Sequence, residues 1–362
     1  ISIQPVIRTS DIAEVGDSTH LTMFEMLGNF RFGEHSSMSM KQISIKEAWN
    51  CIHKELNVSK ERVTVTVFKG DKFVQADTES EGIWQSLGIE VKRMGREDNF
   101  WGPTGEEGPC GPTTEIYIDG VEVWNLVFNQ YYQDKEGKIV DLESVGLDTG
   151  AGLERLAAVL QSQKSVWSVE PFVSWIENFE TTHHYEAKII VDHLKAACFL
   201  ISQGIRPSNK GREYILRRLI RKIVFLTKKT DLKLDQGQLI DQMVEYYRNF
   251  YPMMDGAEIL AVISQEQVQF DKNVTRAISH LDRWVVAQSG QPSAEEVTEM
   301  AFYLYESFGF PKELLLEHLV DLGWEFDKSY FDQLFVTHQE VSRQGSEAVF
   351  KGGLADHDPQ TV

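Results

Sequence analysis

"DTGAGLER", residues 148–155, brings an aspartate, two glycines, a glutamate and an arginine into one short stretch. Glycine-rich phosphate cradles are the first comparison. A dinucleotide loop of the form G-x-G-x-x-G starting at Gly150 needs glycine at 155, where Arg155 stands, and no Gly-Lys-Ser/Thr triplet for a P-loop occurs anywhere. The flanks give the stretch its context. "EIYID" and "VEVWNLVFNQYY" stand on either side of Gly120 and predict two strands joined by a short turn. "GLERLAAVLQ" puts Leu153, Leu156, Ala157 and Leu160 at helical spacing. Asp148 and Gly150 are therefore expected at the end of an extended segment, where a helix begins.

The same alternation recurs upstream. "RVTVTVF" sets Val63, Val65 and Val67 against Thr64 and Thr66, a half-buried strand. From about residue 162 the pattern becomes helical. In "REYILRRLIRKIVF", Ile215, Leu216, Leu219, Ile220, Ile223 and Val224 share one half of the helical wheel. Arg217, Arg218, Arg221 and Lys222 share the other. A long polar helix is expected after Pro252, and Ser293 with Glu296 fits a capping box. "FGFP" (308–311) breaks the helical pattern, and "KGGLADHDPQTV" reads as a linker.

Composition bounds the function. The chain has 362 residues, 42% hydrophobic and 25% charged, with room for about two domains. No run of about 18 apolar residues occurs, so a membrane partner is not expected. "ISIQPVIRTSD" lacks a basic stretch before an apolar core, and no signal peptide is read there. Three cysteines, Cys51, Cys110 and Cys198, are too scattered for a disulfide framework, so a reducing cytoplasm is the default location. The net charge of −19 argues against general affinity for polyanions. Yet Arg206, Lys210, Arg212, Arg217, Arg218, Arg221, Lys222, Lys228 and Lys229 cluster against the single acid Glu213. On charge alone, a solvated helix face and a localised anionic partner both account for this segment.

The segments "VIRTSDIAEVGDSTHLTMFEMLGNF", "NFWGPTGEEGPCGP", "EVWNLVFNQY", "LDTGAGLERLAAVLQ", "RPSNKGREYILRRLIRK" and "FKGGLADH" occur in this order along the chain. Together they resemble the alanyl-tRNA synthetases, members of the class II group. The resemblance implies an α+β fold: a class II antiparallel sheet flanked by helices, followed by an all-α domain. Its expected boundaries are 1–161 for the aminoacylation domain, 162–345 for a helical domain receiving the tRNA acceptor stem, and 346–362 for a linker. The implied function is alanine–tRNA ligation, in which ATP activates alanine to alanyl-adenylate and the acyl group passes to the 3′ end of alanine tRNA. An inactive or carrier-charging class II paralogue is the alternative.

The resemblance also assigns residues. Arg8 and Arg155 match motif arginines that grip ATP phosphates, with planar forks suited to that task. With Asp148 they form the expected catalytic set. Phe24 matches the adenine platform, and Asp11 and Glu25 complete the expected ATP site. Substrate alanine carries an ammonium whose burial needs a counter-charge. Asp148 matches that role, with Asn125 as hydrogen-bonding partner, Trp101 and Val127 as walls, and Gly150 leaving room for a methyl group. ATP chemistry implies Mg²⁺, for which Glu122 is a candidate ligand; no set with metal-ligand spacing stands out. For tRNA, Asn209 matches the asparagine that reads a G·U pair in the acceptor stem. Glu306 stands where the family has an aspartate. Arg212, Arg217, Arg218 and Arg221 are expected to face outward onto RNA phosphates. The family's first motif and its editing domain are not matched, so the chain is expected to be N-terminally truncated, with an oligomer possible in the parent chain.

Overall fold

The computed structural model describes residues 1–33, 39–179, 182–287, 292–321 and 323–337. Its strands are β1 (Ser2–Ile7), β2 (Met23–Gly28), β3 (Phe30–Phe32), β4 (Val63–Phe68), β5 (Glu90–Met94), β6 (Phe100–Trp101), β7 (Gly108–Ile118), β8 (Val121–Gln133) and β9 (Ile139–Gly152). The helices are α1 (Met40–Asn50), α2 (Thr78–Ser86), α3 (Arg96–Asn99), α4 (Leu153–Leu160), α5 (Phe172–Ile176), α6 (His184–Ser202), α7 (Gly211–Thr230), α8 (Gln236–Tyr247), α9 (Gly256–Ala287), α10 (Ala294–Phe308) and α11 (Lys312–Asp321).

The strands form one sheet in the order β1-β2-β9-β8-β7-β4-β5, with β3 on β9 and β6 on β7. Every pairing is antiparallel except β4 with β5. The hairpin joining β7 to β8 turns on Asp119 and Gly120, both at positive φ (51° and 82°). An Asp-Gly pair accepts that geometry and matches the twist of the two strands. Gly111 marks a close approach: a Cβ there would lie 1.8 Å from the Phe128 carbonyl oxygen, so only glycine fits.

Alternation assigns the two faces of the sheet. Leu126 and Phe128 of β8 join Ile116, Ile118, Val65, Val67 and Leu147 on one face, where Ile45 and Trp49 of α1, Trp84 of α2 and Leu156 and Val159 of α4 cover them. Asn125 and Val127, the alternate residues of β8, face a cavity instead, and Val123 touches both the core and the cavity. The expected half-buried strand at 62–68 differs in one respect. Thr66 is also buried, because Asn99 of α3 donates to its hydroxyl at 2.9 Å and that hydroxyl donates to Glu115 at 3.2 Å. Threonine is satisfied here by a buried polar network rather than by water.

The chain packs as two units: residues 1–203 with 233–254, and residues 204–232 with 255 onward. This differs from the boundary at 161/162 expected from the sequence. α6 is buried along nearly its whole length, and Lys195 on it donates to the Met23 carbonyl of β2 at 3.2 Å. Phe199 of α6 also meets Tyr247 and Tyr251 edge-on at 4.8 and 4.9 Å. Helicity begins where the sequence indicates, but these first helices belong to the sheet's own core. In the second unit, α7 buries Leu216, Leu219, Ile220, Ile223 and Val224 as its wheel predicts, while Ile215, expected with them, is half-buried. The capping box at Ser293 and Glu296 opens α10, and Gly309 closes it in the left-handed conformation (φ 62°). The linker at 346–362 and its "FKGGLADH" motif lie outside the described residues. No described helix is long and apolar enough to cross a membrane.

Candidate active site

β9 runs straight into α4, so Asp148 and Gly150 end a strand and Arg155 lies in the first turn of the following helix. Asp148 pairs with Val127 and Gly150 with Asn125 across to β8. These register positions put one carboxylate, one amide and one bare backbone side by side on the cavity face. The cavity measures about 300 Å³, and Arg8, Asp11, Phe24, Trp101, Glu122, Asn125, Val127, Asp148, Gly150 and Arg155 all line it.

The cavity carries charged groups of both signs. Arg8 follows β1; its guanidinium lies 5.4 Å from the Phe24 ring centroid and 3.7 Å from Asp11. Arg155 is fixed from two sides, donating through Nε to the Thr19 carbonyl (3.2 Å) and through Nη1 to Glu122 (3.3 Å). Two guanidinium groups and an aromatic face suit an anion attached to a planar ring. At Asp148, burial raises the carboxyl pKa above its ordinary value. A desolvated carboxylate is a strong receptor for a cation able to bring it back to its charged form. Beside it, Asn125 Nδ2 reaches toward Glu115 at 3.5 Å, while its Oδ1 is buried without a hydrogen-bond partner among the described residues. Glu115 itself is pushed up to about 7, chiefly by burial. A Cβ on Gly150 would stand 2.7 Å from Met26 Sδ, so this glycine keeps the floor open beside a flexible thioether.

The structure brings together the residues expected for ATP and alanine, with the exception of Glu25. Along β2, Phe24 and Met26 line the cavity and Glu25 points the other way, as alternation requires. Its carboxylate accepts a hydrogen bond from the Tyr251 hydroxyl at 2.9 Å, and burial raises its pKa. Glu25 is thus a packing group behind the cavity rather than a lining residue.

Sequence reasoning missed Glu154 and Lys195. Glu154 reads as an acid in the first turn of a helix, a position favoured by the helix dipole. In the fold it is buried, accepts from the backbone N–H of Glu25 at 3.2 and 3.1 Å, and pairs with Lys195 Nζ at 2.6 Å. Lys195 sits in an apolar helix with its side chain only 1% exposed. A lone lysine in "DHLKAACFL" is the signal that points to such a buried pair.

In the second unit, Asn209 is exposed just before α7, and Glu306 is exposed near the end of α10. The expected outward face of α7 needs correction. Arg212 is largely exposed, 3.7 Å from Glu213. Arg218 is half-buried. Arg217 and Arg221 turn onto Glu266 of α9, with Nε distances of 3.0 and 2.8 Å and side-chain exposures of 21% and 11%. The Arg221 guanidinium also lies over the Phe270 ring at 4.7 Å, and burial lowers its pKa. Long arginine stems pack well on apolar surface, and a buried carboxylate offers more than water does.

Residues 1–358 match the family described as class II tRNA synthetases (A). An alanine–tRNA ligase of Borreliella afzelii is 37% identical over 100% of this chain and 66% of its own length. The one from Treponema pallidum is 35% identical with the same coverage. That of Rubrobacter xylanophilus is 35% identical over 96% of this chain and 43% of its own. The chain thus spans 66% of the length of the first two relatives and 43% of the third. On the match over almost its whole length, the chain belongs to the class II tRNA synthetases.

Proposed function

We propose that the cavity activates alanine with ATP and that the second unit receives the acceptor stem of alanine tRNA. The observation that carries this reading is the convergence of Arg8, Phe24, Asp148 and Arg155 on one cavity. The similarity to alanine–tRNA ligases over the whole chain supports the choice of amino acid. In the first step, the alanine carboxylate attacks the α-phosphate of ATP and pyrophosphate leaves. Two anions must meet, so the site needs fixed positive charge more than covalent help from the protein. Arg8 and Arg155 supply that charge, already oriented by Asp11, Thr19 and Glu122. Adenine stacks on Phe24. Asp148 pairs with the substrate ammonium, and the unsatisfied Asn125 Oδ1 gives the same group an acceptor. Trp101 and Val127 bound the side-chain space.

Magnesium carried by ATP needs one or two protein carboxylates, the rest of its shell being phosphates and water. Glu122, in the cavity wall beside Arg155, fits that need, and the bound ion would screen phosphate charge. The acyl group then passes to the terminal ribose of the tRNA, whose stem Asn209 and Glu306 inspect. The cytoplasm is the corresponding location.

Substitution separates the two substrates. In ATP–pyrophosphate exchange by the full-length chain, Asp148→Asn should raise the alanine KM about tenfold or more, the scale of losing a charged hydrogen bond, with little change for ATP. Arg155→Ala should do the reverse. Equal effects of both variants on both substrates would contradict the assignment.

A further inference from the structure

One oxygen of Glu266 organises both loops expected to meet the tRNA stem. Glu266 Oε1 accepts from Arg217 Nε at 3.0 Å and from Arg221 Nε at 2.8 Å. Each guanidinium then uses another nitrogen on a different loop. Arg217 Nη1 donates to Asn209 Oδ1, and Arg221 Nη1 donates to the Gly309 carbonyl at 2.8 Å. Gly309 caps α10 just beyond Glu306. Arg217 and Arg221 stand one turn apart on α7, so a single carboxylate on α9 fixes both reaches.

We propose that Glu266 is a positioning residue for acceptor-stem specificity, acting through Arg217 on the loop that carries Asn209 and through Arg221 on Gly309, the cap of the helix that carries Glu306. This rests on the reading of Asn209 as the residue that contacts the stem. Two consequences go beyond that reading. With Arg217 held on Oδ1, the Asn209 amide is fixed in one orientation and its two N–H donors are left for an acceptor on a base edge, such as a pyrimidine O2 or purine N3 in the shallow minor groove. The two arginines are spent on Glu266 and the loops, so they contribute identity and little of the counterion release that accompanies phosphate contacts.

The test compares aminoacylation kcat/KM of the full-length chain on alanine tRNA bearing the G·U pair and on the same tRNA with G·C in its place. Glu266→Gln should lower the preference for the G·U stem about tenfold or more, the scale of one specific base-edge contact, with the salt dependence of tRNA binding unchanged. Alanine-dependent ATP–pyrophosphate exchange, which needs no tRNA, should stay at the wild-type rate. Asn209→Asp keeps the acceptor for Arg217 but removes the donors, so it should abolish the preference. If Glu266→Gln melts the helical unit, Arg217→Lys decides the question: it keeps the positive charge beside Glu266 but loses the fork that reaches Glu266 and Asn209 together, and it should lower the preference likewise. Equal loss on both stems, a shallower salt slope in Glu266→Gln, or a preference retained in Asn209→Asp would overturn the proposal. If Asn209→Ala leaves the preference intact, the underlying reading fails; if it erases the preference while Glu266→Gln does not, only the positioning role fails.

Discussion

Asp148 ends β9 with its carboxyl raised by burial. A raised carboxyl pKa means that the native site favours the neutral acid, whereas an ammonium ion needs the carboxylate. Alanine affinity should therefore weaken as pH falls through that raised pKa, with ATP affinity following less steeply; parallel KM measurements as pH is lowered check this. Glu115, behind Asn125, titrates near 7 because of burial. Its folded pKa lies above the ordinary 4.5, so its contribution to stability is complete below 4.5 and is lost as pH rises through about 7. Glu115→Gln should remove that decline in denaturant unfolding measured against pH. An unchanged pH profile would place the titration elsewhere. At this scale the sequence was most legible where a residue type has one use in a motif, as with Asp148 and Arg155. It was least legible where a side chain's direction decides. Phe24 and Glu25 are neighbours in "FEML", and only their placement on a paired strand puts one in the cavity and the other against Tyr251.

Elements hold these side chains in place. β2 carries Phe24 and α4 carries Arg155, and Glu154 ties the two by accepting from the Glu25 N–H while Lys195 neutralises it from α6. Removing one member leaves a buried charge unpaired, at a cost of about 3–5 kcal/mol. Lys195→Met should lower unfolding free energy by that amount, and Lys195→Met with Glu154→Gln by less. Additive losses would show that the pair does not interact as the geometry states. At α10 the capping box is exposed, and Ser293→Ala should cost about 1 kcal/mol. That box, the Asp-Gly hairpin and the apolar half of α7 were readable because local chemistry dictates each. The inward turn of Arg217 and Arg221 was not, since it depends on Glu266, which arrives from a separate helix.

For the whole molecule, sequence periodicity located the passage from sheet to helix but not the division into packing units. α6 is helical yet packs on β2, where Lys195 reaches the Met23 carbonyl, and α8 packs on α6 in the same unit. The nearly all-round apolar sequence of α6 marks it as buried, but not which partner covers it. The described lining of the cavity comes wholly from the first unit, and in the proposed reading Asp148 receives a cation there while Arg8 and Arg155 receive an anion. Alanine-dependent ATP–pyrophosphate exchange by the full-length chain, compared with Asp148→Asn, tests that claim most directly. The account predicts exchange that requires alanine and an alanine KM raised about tenfold or more in the variant, with the ATP KM near wild type. Exchange indifferent to the amino acid supplied, or an alanine KM unmoved by Asp148→Asn, would contradict it.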